Sequence, residues 1–210
     1  MKLQLLLKRL FDILASVIIL VLLSPLMAGI AVFIRIKSPG ASVIFRQNRP
    51  GYHCKPFTLY KFRSMTNEKD EAGCLLPDKD RLKKWGLLLR RYSLDELPQF
   101  YNVLRGDMSI IGPRPLLMRY LPLYSPWQMQ RHNMRPGITG LTAVLGRNSL
   151  SWEERFDYDC RYVNHWSLWL DIKIAVLTVK TAFFEHKGIK GFEISEEFTG
   201  NKSNITNTER

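Results

Sequence analysis

The chain has 210 residues, of which 46% are hydrophobic, so it is long enough to form one domain with a sizeable core. Its formal net charge of +12 predicts anionic partners such as phosphates, an acidic membrane face or nucleic acid. The three cysteines, Cys54, Cys74 and Cys160, are widely spaced, which argues against a disulfide framework and a zinc site and favours a reduced, cytoplasmic setting.

The most apolar part of the chain, residues 10–34, reads LFDILASVIILVLLSPLMAGIAVFI. As one straight helix it would be roughly 37 Å long, enough to cross a hydrocarbon core of ~30 Å. Three interpretations fit this stretch: a cleaved signal peptide, a single transmembrane helix, and a re-entrant hairpin that enters and leaves through one membrane face. The signal peptide has a basic start and a weak cleavage-like site, MAGIA, and is the least favoured of the three.

Charge and proline favour the hairpin. The positive-inside rule places basic flanks in the cytoplasm, and a straight span cannot satisfy two of them. Such flanks lie on both sides of the apolar run: Lys2, Lys8, Arg9, Arg35 and Lys37. Pro25 removes a helical hydrogen bond and the Ser24 hydroxyl can bind the freed carbonyl, so these residues mark the predicted membrane break. A spanning helix with a proline kink remains the alternative.

The next segments alternate between regular and irregular structure. Residues 42–65 contain two β-prone runs and predict a β-hairpin with its turn at Asn48, Pro50 and Gly51. Residues 67–80 are polar and predict a surface loop. Residues 81–92 predict a short amphipathic helix, placed either at a membrane surface or on the core with a solvated basic face.

The second half of the chain predicts more helix. Residues 115–134 are interrupted by prolines and should form short helical pieces rich in Met, Tyr and Trp. Residues 166–186 predict a long apolar helix that carries charges and is therefore packed or interfacial rather than spanning. The polar tail, residues 193–210, is expected to be disordered.

An acidic pair stands out in this basic chain. Asp95 and Glu96 precede Pro98, and Ser93 and Glu96 have the S-x-x-E spacing of a capping box. The structural interpretation is therefore a helix start, where acids complement the positive end of the helix dipole. On the pair alone, this interpretation is favoured.

The surroundings of the pair favour a functional interpretation. Arg114 lies between Pro113 and Pro115, which stiffen its backbone and suit an arginine placed for a planar oxyanion. Carboxylates amid phosphate-seeking cations suggest a site for phosphate and a divalent ion, since Mg²⁺ takes one or two carboxylates plus substrate phosphates. The other candidate phosphate-binding cations are Lys61, Arg63, Arg90 and Arg147.

The motif RRYSLDELPQFYNVLRGDMSIIGPRP resembles the core signature of the bacterial sugar transferase family, the monotopic phosphoglycosyl transferases. The resemblance covers residues 8–188 and includes KRLFDI, RQNRPG, FTLYKFRSM, RPGITGL and WSLWLDIKI. The chain is similar to the small members of the family, which consist of the catalytic domain alone. It departs from the family near Thr142–Val144, where a small residue and a glutamine are expected, and this departure bears on sugar or nucleotide preference.

The resemblance implies an activity and roles for individual residues. The family transfers a phosphosugar from a UDP-sugar to undecaprenyl phosphate, giving the lipid diphosphate sugar and UMP, and so initiates glycoconjugate synthesis. It implies that Asp95 is the covalent nucleophile, that Glu96 with Asp95 holds Mg²⁺, and that Arg114 binds a substrate phosphate. No nucleic-acid partner is implied, and a homodimer is left open.

The resemblance also implies an architecture. We expect an α+β, mostly helical fold with a re-entrant helix–break–helix, a short β-hairpin and interfacial amphipathic helices. Residues 1–37 would form the membrane anchor, residues 38–192 the catalytic domain and residues 193–210 the tail. The protein would lie on the cytoplasmic face of the bacterial inner membrane, with both termini in the cytoplasm. The competing class is a non-enzymatic, membrane-anchored basic protein that binds acidic lipid or nucleic acid, which leaves the acidic pair and the Pro-Arg-Pro loop unexplained.

Overall fold

The computed structural model describes residues 2–146, 149–184 and 197–200. Within these ranges the chain is mostly helical with a β-hairpin, as predicted. The helices are α1 Lys2–Leu22, α2 Ser24–Lys37, α3 Asp78–Arg81, α4 Lys84–Arg91, α5 Gln99–Arg105, α6 Pro126–Met129, α7 Leu141–Leu145, α8 Trp152–Asn164 and α9 Leu168–Phe184. The strands are β1 Ile44–Pro50, β2 Pro56–Phe62, β3 Ser109–Ile111 and β4 Gly137–Thr139. Short 3-10 helices cover Tyr52–Cys54, Leu94–Glu96, Met118–Leu123 and Gln130–Asn133.

The predicted break in the apolar N-terminus is present. Helices α1 and α2 meet at a bend of 61°, and Pro25 lies in the first turn of α2. The Ser24 hydroxyl donates a 2.8 Å hydrogen bond to the Val21 carbonyl, the group that Pro25 cannot reach because it has no N–H. No described helix alone is long and apolar enough to cross a membrane, whereas α1 and α2 taken together are.

Both arms of the bent pair pack on the rest of the protein. On α1, the Lys8 ammonium donates to the Asp171 carboxylate at 2.7 Å and to the Ile111 carbonyl at 2.9 Å. Both charged side chains are at most 10% exposed, so water screens their attraction little. On α2, the buried residues join an apolar cluster with the hairpin, α4 and the segment before α5: Ile30, Ile34, Phe62, Leu89 and Leu97.

Further polar contacts fix α1 along its length. The Asp12 carboxylate accepts from the Ile110 N–H at 3.0 Å, and the Arg9 guanidinium donates to the carbonyls of Val103 and Leu104. The sequence argument counted Lys8 and Arg9 as charges that flank a membrane segment. In the structure both charges bind protein groups instead, because the face of α1 that carries Lys8, Asp12 and Ser16 is buried against the body of the chain.

The β-hairpin is confirmed, and its turn is displaced from the predicted position. Strands β1 and β2 pair antiparallel from Ile44↔Phe62 to Pro50↔Pro56. Asn48 and Pro50 therefore belong to β1, and the reversal falls in the 3-10 helix Tyr52–Cys54. Pro50 is accommodated because it ends its strand, where the missing N–H breaks no inner ladder bond.

A second small sheet was not predicted. Strands β3 and β4 pair in parallel, with Ser109 opposite Gly137 and Ile111 opposite Thr139. The backbones approach so closely here that a Cβ on Gly137 would overlap the Gly112 nitrogen. Three-residue strands carry too little periodicity to be recognised in a sequence, so the glycines were the available signal.

The remaining helical predictions agree with the structure within the described residues. The segment 81–92 contains α4, the proline-interrupted segment 115–134 forms short 3-10 and α-helical pieces, and α9 occupies most of 166–186. The predicted loop 67–80 is irregular apart from the first turn of α3 and an isolated bridge between Lys69 and Leu75.

The tail differs from its predicted disorder at the residues that the structure describes. Phe198 is only 5% exposed and packs in an aromatic cluster. Glu197 forms an ion pair with Arg119. The rest of the tail, residues 193–196 and 201–210, lies outside the described residues. The burial of Phe198 was not predicted, because the rings around it are distant in the sequence.

The Lys8–Asp171 pair provides a test of how α1 is held. Lys8→Met should lower the free energy of unfolding by about 3–5 kcal/mol, because Asp171 would stay buried without its cation. Denaturant unfolding of the detergent-solubilised protein measures this change. The matched control is Lys2→Met, at an exposed position of the same helix, which should change stability by less than about 0.5 kcal/mol. Equal stabilities of the two variants would show that the buried pair does not stabilise the fold.

Candidate active site

The acidic pair lies on a tight connection between two helices. After α4, Ser93 adopts a left-handed conformation with φ 53°, and the 3-10 helix Leu94–Glu96 leads into Pro98 at the start of α5. The capping-box interpretation is wrong: in the part of the chain that the structure describes, the Ser93 side chain makes no capping hydrogen bond. The Glu96 carboxylate instead binds cations, which the spacing alone could not reveal.

Three separate segments meet at Glu96. The Lys61 ammonium, from β2, donates to Glu96 Oε1 at 2.7 Å. The Arg114 guanidinium, from the loop after β3, donates to the same oxygen at 3.0 Å. Lys61 continues the inward-facing alternation of Phe57 and Leu59 along β2, which directs its ammonium to the acidic pair.

Asp95 lies beside this cluster but is less fully neutralised. Its carboxylate is buried and stands 3.9 Å from the Lys61 ammonium, beyond hydrogen-bonding distance. Burial raises the pKa of Asp95 and the neighbouring Glu96 charge raises it further, while Lys61 and Arg90 oppose the shift. For Glu96, burial acts in the same direction, but Lys61 and Arg114 outweigh it and lower its pKa to about 2. The two adjacent acids therefore have different proton affinities.

The other predicted phosphate-binding residues are placed differently. Arg90 lies near the pair: its Nε donates to the Ser64 hydroxyl at 2.8 Å, and burial lowers its pKa while the charge of Asp95 raises it. Arg63 is turned to the Ser42 carbonyl and the Asn67 side chain, and the structure does not bring it to the acidic pair. Arg147 lies outside the described residues, so its assignment stays a prediction.

The backbone of the Pro-Arg-Pro loop is held at three successive carbonyls. The Gly137 N–H donates to the Pro113 carbonyl at 2.9 Å. The Arg131 guanidinium donates to the Arg114 carbonyl at 2.7 Å, and Arg49 donates to the Pro115 carbonyl at 3.4 Å. The Arg114 side chain itself is 54% exposed. The loop thus presents an accessible guanidinium on a backbone that proline rings and external donors fix in place.

Sequence reasoning missed the ion pair that supports this loop. Arg131 binds Asp159 through two guanidinium nitrogens, at 3.1 Å and 2.5 Å, and both side chains are at most 4% exposed. Asp159 lies in α8 on the same buried face as Phe156 and Cys160. An acid on the apolar stripe of an amphipathic helix was the available signal, since such acids are rarely buried without a cation.

The residues present fit a magnesium ion that is shared with a substrate. No group of three or more metal-ligating His, Cys, Asp or Glu side chains occurs among the described residues, so an all-protein cage does not fit. Asp95 and Glu96 supply two adjacent carboxylates, the number that Mg²⁺ commonly takes when substrate phosphates complete its coordination.

Comparison with known proteins shows which family the chain resembles. The sequence model of the bacterial sugar transferase family matches residues 3–185. The chain is 51% identical over 196 residues to a Bacillus subtilis protein named uncharacterized sugar transferase EpsL, covering 92% of this chain and 96% of that protein.

Longer relatives carry more specific names. The chain is 44% identical over 188 residues to the UDP-glucose:undecaprenyl-phosphate glucose-1-phosphate transferase of Escherichia coli, covering 85% of this chain and 40% of that protein. It is 42% identical over 182 residues to the UDP-N-acetylgalactosamine-undecaprenyl-phosphate N-acetylgalactosaminephosphotransferase of Aeromonas hydrophila, covering 83% of this chain and 43% of that protein. The chain thus spans about two fifths of these longer relatives. Because the family match extends over most of its length, the chain belongs to the bacterial sugar transferase family.

Proposed function

We propose that the protein transfers a phosphosugar from a UDP-sugar to undecaprenyl phosphate and releases UMP. The observation that carries this proposal is the convergence of Lys61, Arg114 and the acidic pair on one site, with one carboxylate bound by two cations and its neighbour left with a raised pKa. Longer relatives are named for this class of reaction. The non-enzymatic alternative accounts for none of these contacts.

The first step is the attack of an Asp95 carboxylate oxygen on the sugar-bearing phosphorus. A bond forms between that oxygen and phosphorus, and the bond between phosphorus and the oxygen that bridges to UMP breaks. UMP leaves with the electron pair of this bond. Asp95 suits the attacking role because its carboxylate accepts no direct hydrogen bond from Lys61, and burial raises its basicity.

The second step returns the enzyme to its starting state. A phosphate oxygen of undecaprenyl phosphate attacks the same phosphorus, the bond to Asp95 breaks, and undecaprenyl-diphosphate-sugar leaves. Two successive displacements need only one binding site for the transferred phosphoryl group. Arg114 and Lys61 then neutralise charge on that group in both steps, since charge-assisted hydrogen bonds are the strongest that a protein offers an oxyanion.

We further propose dependence on Mg²⁺ held by Glu96 and Asp95. A bound magnesium ion supplies Lewis-acid stabilisation of the charge that develops on the diphosphate. Glu96 would stay ionised throughout the physiological range, because Lys61 and Arg114 keep its pKa low. Arg90 adds positive charge near Asp95. Arg63 and Arg147 stay predicted phosphate-binding residues, and the Arg63 side chain binds Ser42 and Asn67.

The packing of both bent helices, α1 and α2, on the rest of the protein supports a proposal for its placement. We propose that α1 and α2 form a re-entrant anchor and that the catalytic domain lies on the cytoplasmic face of the inner membrane. Lys8 near the start of α1 and Ile34 near the end of α2 both pack on the same body. A spanning anchor would place one of these ends across the bilayer, away from its buried partners. The re-entrant form lets one site meet a membrane-bound polyprenyl phosphate and a soluble nucleotide sugar.

The topology can be measured with the cysteines of the chain. Cys74 is exposed and reports the side of the catalytic domain, and a second cysteine would be added in a tag before Met1, in a Cys54→Ser background. In intact cells a membrane-impermeant maleimide should label neither cysteine, and permeabilisation should expose both. Labelling of the tag alone in intact cells would contradict the re-entrant anchor. Pro25→Ala should shift some molecules toward that spanning pattern, because it restores the helical hydrogen bond.

The covalent intermediate can be isolated by withholding the acceptor. With UDP-sugar and no lipid, the protein should release about one UMP per active site and gain a phosphosugar on the peptide that contains Asp95, as a covalent scheme requires. Asp95→Asn should abolish the burst, the adduct and turnover. Asp80→Asn, an exposed acid of α3, is the matched control and should behave like the parent protein. Turnover with lipid but no adduct and no burst without it would indicate direct transfer, with the acids serving only as metal ligands.

The role of Arg114 can be separated from bulk positive charge. Arg114→Lys keeps the charge but loses the planar fork, so turnover should fall on the order of tenfold or more, equivalent to ~1.4 kcal/mol of transition-state stabilisation. Steady-state UMP release measures the change. Arg105→Lys, at an exposed arginine paired with Asp107, is the matched control. Near-normal kinetics in Arg114→Lys would mean that this arginine supplies only charge.

A further inference from the structure

The described part of the tail is anchored by one aromatic side chain. Phe198 is 5% exposed, and its ring centroid lies 5.0 Å from that of Phe156, 5.4 Å from Trp152, 5.7 Å from Tyr120 and 5.9 Å from Tyr124. These four rings come from the segment after the Pro-Arg-Pro loop and from α8. Phe198 thus fills a space between two elements that are remote from it in sequence.

The neighbouring ion pair contributes little to this docking. Glu197 contacts Arg119, but their side chains are 61% and 59% exposed, so water and salt screen the attraction. The buried ring is therefore the contact that fixes the tail, since buried apolar area is what stabilises a docked segment.

The same aromatic rings support Arg131. The Arg131 guanidinium carbon lies 5.7 Å from the ring centroid of Phe156 and 6.0 Å from that of Tyr124. Both rings also contact Phe198. Arg131 in turn donates the 2.7 Å hydrogen bond to the Arg114 carbonyl. A continuous series of contacts therefore leads from Phe198 through the rings and Arg131 to the backbone of Arg114.

We propose that Phe198 is a positioning residue for the transfer reaction, acting through Arg131 on the Pro-Arg-Pro loop. Close-packed interiors transmit small displacements because their side chains have few alternative arrangements. Removal of the Phe198 ring would leave a cavity against Phe156 and Tyr124, and the rings that support Arg131 would relax into it. The Arg114 backbone would then be held less firmly, because the Arg131 contact is one of the three that fix the loop, while Arg114 keeps its charge and its Glu96 partner. This inference rests on the proposed function for its kinetic readout.

A double-mutant cycle on UMP release tests the route of action. Phe198→Ala should lower kcat about tenfold while the KM for UDP-sugar changes less than about twofold, because a misplaced Arg114 weakens the transition state more than the bound substrate. In an Arg114→Lys background the same Phe198→Ala substitution should lower kcat less than about twofold, because both changes weaken the same contact between Arg114 and the transition state. Phe198→Leu, which refills most of the space, should restore at least about half of the parent kcat. Glu197→Gln is the matched control and should leave kcat unchanged.

Several results would overturn the proposal. Independent effects of Phe198→Ala and Arg114→Lys would show that the ring does not act through the arginine. Unchanged kcat in Phe198→Ala would show that the ring has no role, and increased kcat would show that the tail obstructs the site instead. If Phe198→Ala fails to fold, the cycle is run with Phe198→Leu and Phe198→Val, whose graded loss of kcat should vanish in the Arg114→Lys background.

A second measurement is independent of turnover. Hydrogen–deuterium exchange of the peptide that spans residues 109–118 should be faster in Phe198→Ala than in the parent protein, and unchanged in Glu197→Gln. Equal exchange in Phe198→Ala and the parent would contradict the proposal even if no UDP-sugar supports activity. Absence of UMP release by the parent protein would instead contradict the proposed function and leave the exchange experiment as the test of Phe198.

Discussion

The buried ion pair between Lys8 and Asp171 is the contact on which the arrangement of this protein depends. It joins the first helix to the last long one, and the same two side chains also reach the Ile111 carbonyl of β3 and the Tyr162 hydroxyl of α8. Separating α1 from the body would leave two charges without partners in an apolar setting, which costs several kcal/mol. Helix α1 is therefore held in one position against the body of the protein.

The second buried ion pair, Arg131–Asp159, holds a loop in place rather than a helix. Replacing a buried pair by apolar residues is often neutral for stability, so stability alone does not account for such a pair. Here Arg131 has donors left after binding Asp159, and one of them holds the Arg114 carbonyl. A leucine at this position could fill the space but could not orient a loop. The Arg131–Asp159 pair therefore fixes the backbone of Arg114, whose side chain binds Glu96.

Much of the fold could be predicted from the sequence where the signal was local. Pro25 marked the helix break, the β-prone runs marked the hairpin, and long apolar or amphipathic runs marked α4 and α9. Asp95, Glu96, Lys61 and Arg114 were also singled out from the sequence, and the structure brings them together. Sequence reasoning failed where partners lie far apart along the chain. It could not find the parallel pairing of β3 with β4, the burial of Phe198 or the Arg131–Asp159 pair. It also interpreted Ser93 as a helix cap from its spacing to Glu96, whereas Ser93 adopts a left-handed conformation and makes no capping hydrogen bond.

The contacts of Glu96 explain why two adjacent acids can serve two purposes. Neighbouring carboxylates repel each other, and in a uniform environment both would resist ionisation together. Here Lys61 and Arg114 are directed to Glu96, and Lys61 stops 3.9 Å from Asp95. Glu96 is held as a permanent anion, whereas Asp95 keeps the electron density of a carboxylate that burial has made more basic. An equal division of the cations would have produced two weak nucleophiles. This uneven division is the asymmetry that the proposed covalent transfer through Asp95 needs.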